Sequence, residues 1–127
     1  MQLKNVIKRE EILKIEHYLK KIYDICSKET CFPKVANQWN ENNKFWGHCA
    51  IISLLLQDKY GGEIYKAENM IENITHYYNI INGKKIDATS SQYKQPIIFI
   101  NDQKVNREKI LENENTKTRY EKVKTQL

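Results

Sequence analysis

Cys49, His76 and Asp87 are the three side-chain types from which a thiol nucleophile, its base and the orienter of that base are built. A thiolate attacks an acyl carbon, an imidazole takes and returns the proton, and a carboxylate beside the imidazole fixes its tautomer and steadies its positive charge. Cys49 stands two residues after Gly47 and opens the apolar run Ala50–Leu56, so it is expected at the N-terminus of a buried helix. Unpaired N–H groups and the helix dipole favour an anion there, and the same N–H groups suit the oxyanion of a tetrahedral intermediate. A free cysteine is also among the most buried residue types and often acts only as a small hydrophobe. Position alone leaves both readings open.

His76 and Asp87 are tied together by Asn82-Gly83, the strongest short hairpin signal a sequence offers. Folding the chain about it sets residue 81 against 84, 80 against 85 and 78 against 87. Alternation then puts 76, 78, 85, 87 and 89 on one side. His76 and Asp87 become diagonal neighbours, with Cα atoms roughly 7–8 Å apart. Taken alone, a strand histidine near a surface aspartate is commonly nothing more. Here a one-residue change in spacing would put the two on opposite faces. For catalysis the helix and the hairpin must meet, with the Cys49 sulfur and the His76 ring within hydrogen-bond reach.

The elements that must position them follow from the apolar pattern. Ile12, Ile15, Leu19, Ile22, Tyr23 and Cys26 recur at three- and four-residue steps, which predicts an amphipathic helix over about 7–27. Residues 34–44 are polar and read as a short helix or an ordered loop. From Gly47 to Gly61-Gly62 the chain is apolar nearly all round, as a central helix requires. Strands are expected at Glu63–Lys66, Thr75–Ile81, Lys84–Thr89 and Ile97–Ile100. One or two packing helices should follow Asn106. Helices, then an antiparallel sheet, then helices make an α+β fold.

At 127 residues the chain suits one domain, with its core over about 34–127. Such a domain buries roughly two-thirds of its unfolded surface and needs no staple. Three cysteines do not make a disulfide framework, and no apolar leader or membrane span is seen, so a reduced, cytoplasmic protein is expected. Cys26 and Cys31 have no second pair at zinc spacing, so neither a metal nor another cofactor is expected. The net charge of +5 is spread along the chain, which argues against a nucleic-acid binder. Oligomeric state is not legible.

The segments Trp46-Gly47-His48-Cys49-Ala50, Leu55-Leu56-Gln57-Asp58, Gly61-Gly62-Glu63-Ile64 and His76-Tyr77-Tyr78-Asn79 carry a wider resemblance. It continues through Asp87-Ala88-Thr89, Gln92-Tyr93, Asn115-Thr116 and Arg119-Tyr120, and covers roughly Trp39 to the C-terminus. In the order and surroundings of these residues the chain resembles the papain-like superfamily, in its NlpC-type and transglutaminase-like branches. It resembles more closely the small bacterial YunG-like proteins. The resemblance implies a papain-like core with Cys49 as nucleophile, His76 as base and Asp87 as orienter. It also marks a departure, because the position before the cysteine is commonly Gln in similar sequences and is His48 here. His48, or a side-chain amide from Gln38, Asn40 or Asn43, is the candidate oxyanion or substrate contact. The expected activity is a cysteine hydrolase or acyltransferase acting on a peptide, amide or small acyl substrate. The alternative is a catalytically silent binding or regulatory protein on the same core.

Overall fold

Ile51, Ile52, Leu54, Leu55 and Leu56 leave almost no surface to water, and the helix that carries them is the element about which the rest packs. Each such side chain contributes about 1.5–3 kcal/mol on burial. A computed structural model describes residues 2–69, 74–89 and 98–127, with the side chains from residue 9 onward. Helix α1 spans Gln2–Ile25 and α2 spans Cys49–Tyr60, with two 3-10 segments, Lys28–Thr30 and Pro33–Gln38, between them. The strands are β1 (Glu63–Asn69), β2 (Thr75–Ile81), β3 (Lys84–Ile86) and β4 (Phe99–Val105), and the chain closes with α3 (Arg107–Leu111) and α4 (Glu114–Lys124). This is an α+β arrangement with a four-stranded antiparallel sheet of order β3-β2-β1-β4. Among the described residues, no helix is long and apolar enough to cross a membrane.

The sheet holds α2 against β1 and β2, while α4 covers α2 from another side. Asn79 of β2, buried, donates its Nδ2 to the Ser53 carbonyl at 3.0 Å and fixes strand to helix. On α1, Ile15 and Ile22, and Cys26 just after its end, join the same core cluster as α2. The end of α2 is fastened to the C-terminal helices through Asp58. Its carboxylate pairs with Arg107 at 2.8 Å, accepts from the Tyr120 hydroxyl, and lies 3.7 Å from Lys124.

The hairpin register is the one that Asn82-Gly83 predicts, with Asn79 opposite Ile86 and Ile80 opposite Lys85. The third strand is shorter than expected and ends at Ile86, leaving Asp87 just beyond the ladder. β4 runs on to Val105 through the polar run Asn101–Lys104, a pattern that carries no apolar alternation because the strand is an edge with an exposed middle. Ile97, expected to start that strand, lies outside the described residues, as do Gln92 and Tyr93.

Gly47, with φ +74°, brings the chain into α2. A Cβ there would collide with Cys31 Sγ and come within 3.1 Å of the Phe32 nitrogen, which donates to the Gly47 carbonyl at 3.0 Å. Gly83 has a similar φ of +76° with open space around it. Gly83→Ala is therefore expected to cost about 1 kcal/mol, the conformational term alone, and Gly47→Ala at least about 2 kcal/mol. Denaturant melts of the two variants compare them directly, and equal losses would show that the contact with Cys31 constrains nothing.

Candidate active site

Cys49 is the first residue of α2 and is half-buried in the wall of a cavity of about 360 Å³. The residue before it, His48, is the N-cap of the helix but caps nothing with its side chain. Its ring turns inward instead. Nδ1–H donates to the Trp46 carbonyl at 2.8 Å, which leaves Nε2 to accept from the Thr30 hydroxyl at 2.8 Å. Burial drives the His48 pKa down to about 4 against the pull of the Trp46 carbonyl, and the Arg119 cation adds to the fall. His48 is thus a neutral, fully buried ring. No side-chain cap covers the first turn of α2, whose residues Cys49 and Ala50 line the cavity.

His76, the second residue of β2, is fully buried. Its Nε2 meets both carboxylate oxygens of Asp87, at 2.8 and 2.9 Å. Phe99 of β4 stacks on the imidazole with ring centroids 4.6 Å apart and planes 16° from parallel. Cys49 is near enough to act on the same ring, and its effect raises the His76 pKa. The Cys49 sulfur lies 4.0 Å from the carbonyl oxygen of Thr75, the neighbour of His76. Helix start and hairpin therefore do meet.

Burial alone would lower the His76 pKa. The hydrogen bond that the ring donates to Asp87, then the influence of Cys49, then the charge of Asp87 outweigh it and raise the pKa to about 9. A phenyl ring over one face and a carboxylate on one edge keep water from competing for the cation. The arrangement can hold an imidazolium beside the Cys49 sulfur and can pass a proton between sulfur and a bound group.

The other sequence candidates do not reach the cavity. His48 is engaged inward at both nitrogens, so it offers nothing to an oxyanion. Gln38 is exposed at the end of the second 3-10 segment, and Asn43 is held in a bridge with Asn40, whose own side-chain oxygen accepts from the Asn42 N–H. None of these residues lines the cavity. Asn113 and Arg119 do. The signal for Arg119 is present in the sequence, since Thr116, Arg119, Tyr120 and Val123 form the buried stripe of α4 and an arginine there is out of pattern. Among the described residues, no group of three or more His, Cys, Asp or Glu could hold a metal ion.

Comparison with known proteins adds a family. The family model described as "YunG protein" matches residues 11–127. The protein called "Uncharacterized protein YunG" of Bacillus subtilis (strain 168) is 36% identical over 64 residues, which is 50% of this chain. The match spans 54% of that relative's length. No solved structure matches the chain.

The direction of the His76 shift fixes a pH dependence. With a folded pKa of about 9 above the ordinary 6.5, protonated His76 adds stability that is full below about pH 6.5 and is lost as pH rises through about 9. Thermal melts of the wild type and His76→Gln from pH 6 to pH 10 should show a gap in Tm that is widest at pH 6 and narrows towards pH 10. A gap that stays constant would mean that folding leaves the His76 pKa unshifted, and one that widens as pH rises would mean that burial keeps the ring neutral.

Proposed function

We propose that this chain, which belongs to the YunG family, is a thiol-dependent hydrolase or acyltransferase acting on an amide, peptide or similar acyl bond. The observation that carries the reading is a buried imidazole bonded to Asp87 through one nitrogen, on a strand whose preceding residue, Thr75, meets the Cys49 sulfur at an open helix N-terminus. A nucleophile on a buried helix with its base on the adjoining antiparallel sheet is the layout of a papain-like core, and we assign the fold to that class on this ground.

In the proposed reaction the Cys49 thiolate attacks the carbonyl carbon. An S–C bond forms and the carbonyl π electrons move to oxygen. The N–H groups of the first turn of α2 hold that oxyanion. The His76 imidazolium gives its proton to the leaving nitrogen or oxygen as the bond to carbon breaks, and a thioester remains on Cys49. His76, now neutral, takes a proton from water or from a second nucleophile, which attacks the thioester and releases the thiol. Water gives hydrolysis, and an amine or alcohol gives acyl transfer. Asp87 holds the imidazole in position throughout.

A nitrophenyl acetate assay tests this without knowledge of the natural substrate. The wild type should release one equivalent of nitrophenolate in a burst and carry an acetyl group on Cys49 by mass spectrometry. Cys49→Ala should show no burst, and His76→Ala should slow acylation by about 10²-fold or more. A burst that survives Cys49→Ala, or none in the wild type, would overturn the mechanism and turn attention to a silent binding role.

A further inference from the structure

Arg119 is 6% exposed, yet every partner the structure gives its guanidinium is neutral. Nε donates to Asn115 Oδ1 at 2.7 Å, Nη1 to the Thr30 carbonyl at 3.1 Å, and Nη2 to Thr116 Oγ1 at 3.3 Å. None of the ion pairs among the described residues includes it. A guanidinium carries five N–H donors, so two remain after these three bonds. A buried cation without a carboxylate is costly, and burial does press this one towards its neutral form, with only the Cys31 and Cys49 thiols pulling the other way. That pull from Cys49 also places the guanidinium within electrostatic reach of the thiol.

The cavity wall agrees in sign. Its charged lining groups are Lys34, Lys109 and Arg119, and among the described residues no Asp or Glu lines it. Phe32 and Trp46 supply an apolar side. At about 360 Å³ the space is at the small end of ligand cavities.

We infer that the acyl compound processed at Cys49 carries a carboxylate, which Arg119 binds with its two remaining donors while Lys34 and Lys109 add attraction at the rim. The inference rests on the reading of Cys49 as a nucleophile. A guanidinium fork matches a carboxylate in both geometry and charge, and a site walled from water strengthens the pair. The bonds to Asn115, Thr116 and the Thr30 carbonyl, and the placement of the guanidinium over the Phe32 ring at 5.8 Å, are structural tasks. They account for three donors and leave two hydrogens without a use.

Iodoacetate and iodoacetamide separate the two claims. Both form the same S–CH2 bond at Cys49 as iodide leaves, and they differ mainly in charge. The rate ratio of iodoacetate to iodoacetamide at Cys49, read by mass spectrometry at low salt and neutral pH, is compared among the wild type, Arg119→Gln and the surface double variant Lys34→Ala/Lys109→Ala. The His76 imidazolium favours iodoacetate in all three, so only changes in the ratio count. Arg119→Gln should lower the ratio about tenfold, and the double variant should lower it about two- to threefold. Cys49 inert to both reagents in the wild type would overturn the nucleophile reading and this inference with it. Cys49 reactive to both, with one ratio in all three proteins, would overturn the carboxylate site alone. Should Arg119→Gln fail to fold, the double variant decides, and a ratio equal to that of the wild type counts against the site.

Discussion

Gly47 takes its positive φ pressed against Cys31, and His48 turns its ring between the Thr30 hydroxyl and the Trp46 carbonyl. Together these contacts decide where α2 begins, and hence where Cys49 points. Had His48 capped the helix with its own side chain, one of the first-turn N–H groups would be spent. Because the ring is directed inward, that end of the helix stays open to the cavity. The apolar body of α2 then fixes its axis against β1 and β2, and Asn79 fixes its height through Ser53. His76 arrives beside Cys49 as a consequence of these two constraints.

Two histidines in this protein are both fully buried and are driven in opposite directions. His48 meets a carbonyl, a hydroxyl and the field of Arg119, and its pKa falls to about 4. His76 meets a carboxylate and a thiol, and its pKa rises to about 9. Burial sets the stakes and the partners decide the charge. The same rule makes Arg119 conspicuous, since it is the buried cation whose partners are all neutral.

Much of this was legible in the residues. Asn82-Gly83 has a strict geometric meaning, so the register that joins His76 to Asp87 could be counted out. The run from Ala50 to Leu56 could only be a buried helix or a buried strand, and Gly61-Gly62 gave its length. β4 was largely illegible, because an edge strand pairs through its backbone and Asn101–Lys104 carry no periodic apolar signal. The inward turn of His48 and the placement of Arg119 depend on contacts with Thr30, far from both in sequence, and no local pattern encodes such contacts.

The site also has a history in time. Its parts come from well-separated stretches: Cys49 from α2, His76 and Asp87 from the hairpin, Arg119 from α4. A ribosome adds about 5–20 residues per second. Cys49 is therefore made several seconds before Arg119, and during that interval the thiol belongs to an apolar helix with one wall of its chamber unmade. α4, clipped to Asp58 by Tyr120 and Lys124, is the last wall to arrive. The newborn chain must keep its most apolar helix from foreign contacts until that clasp closes.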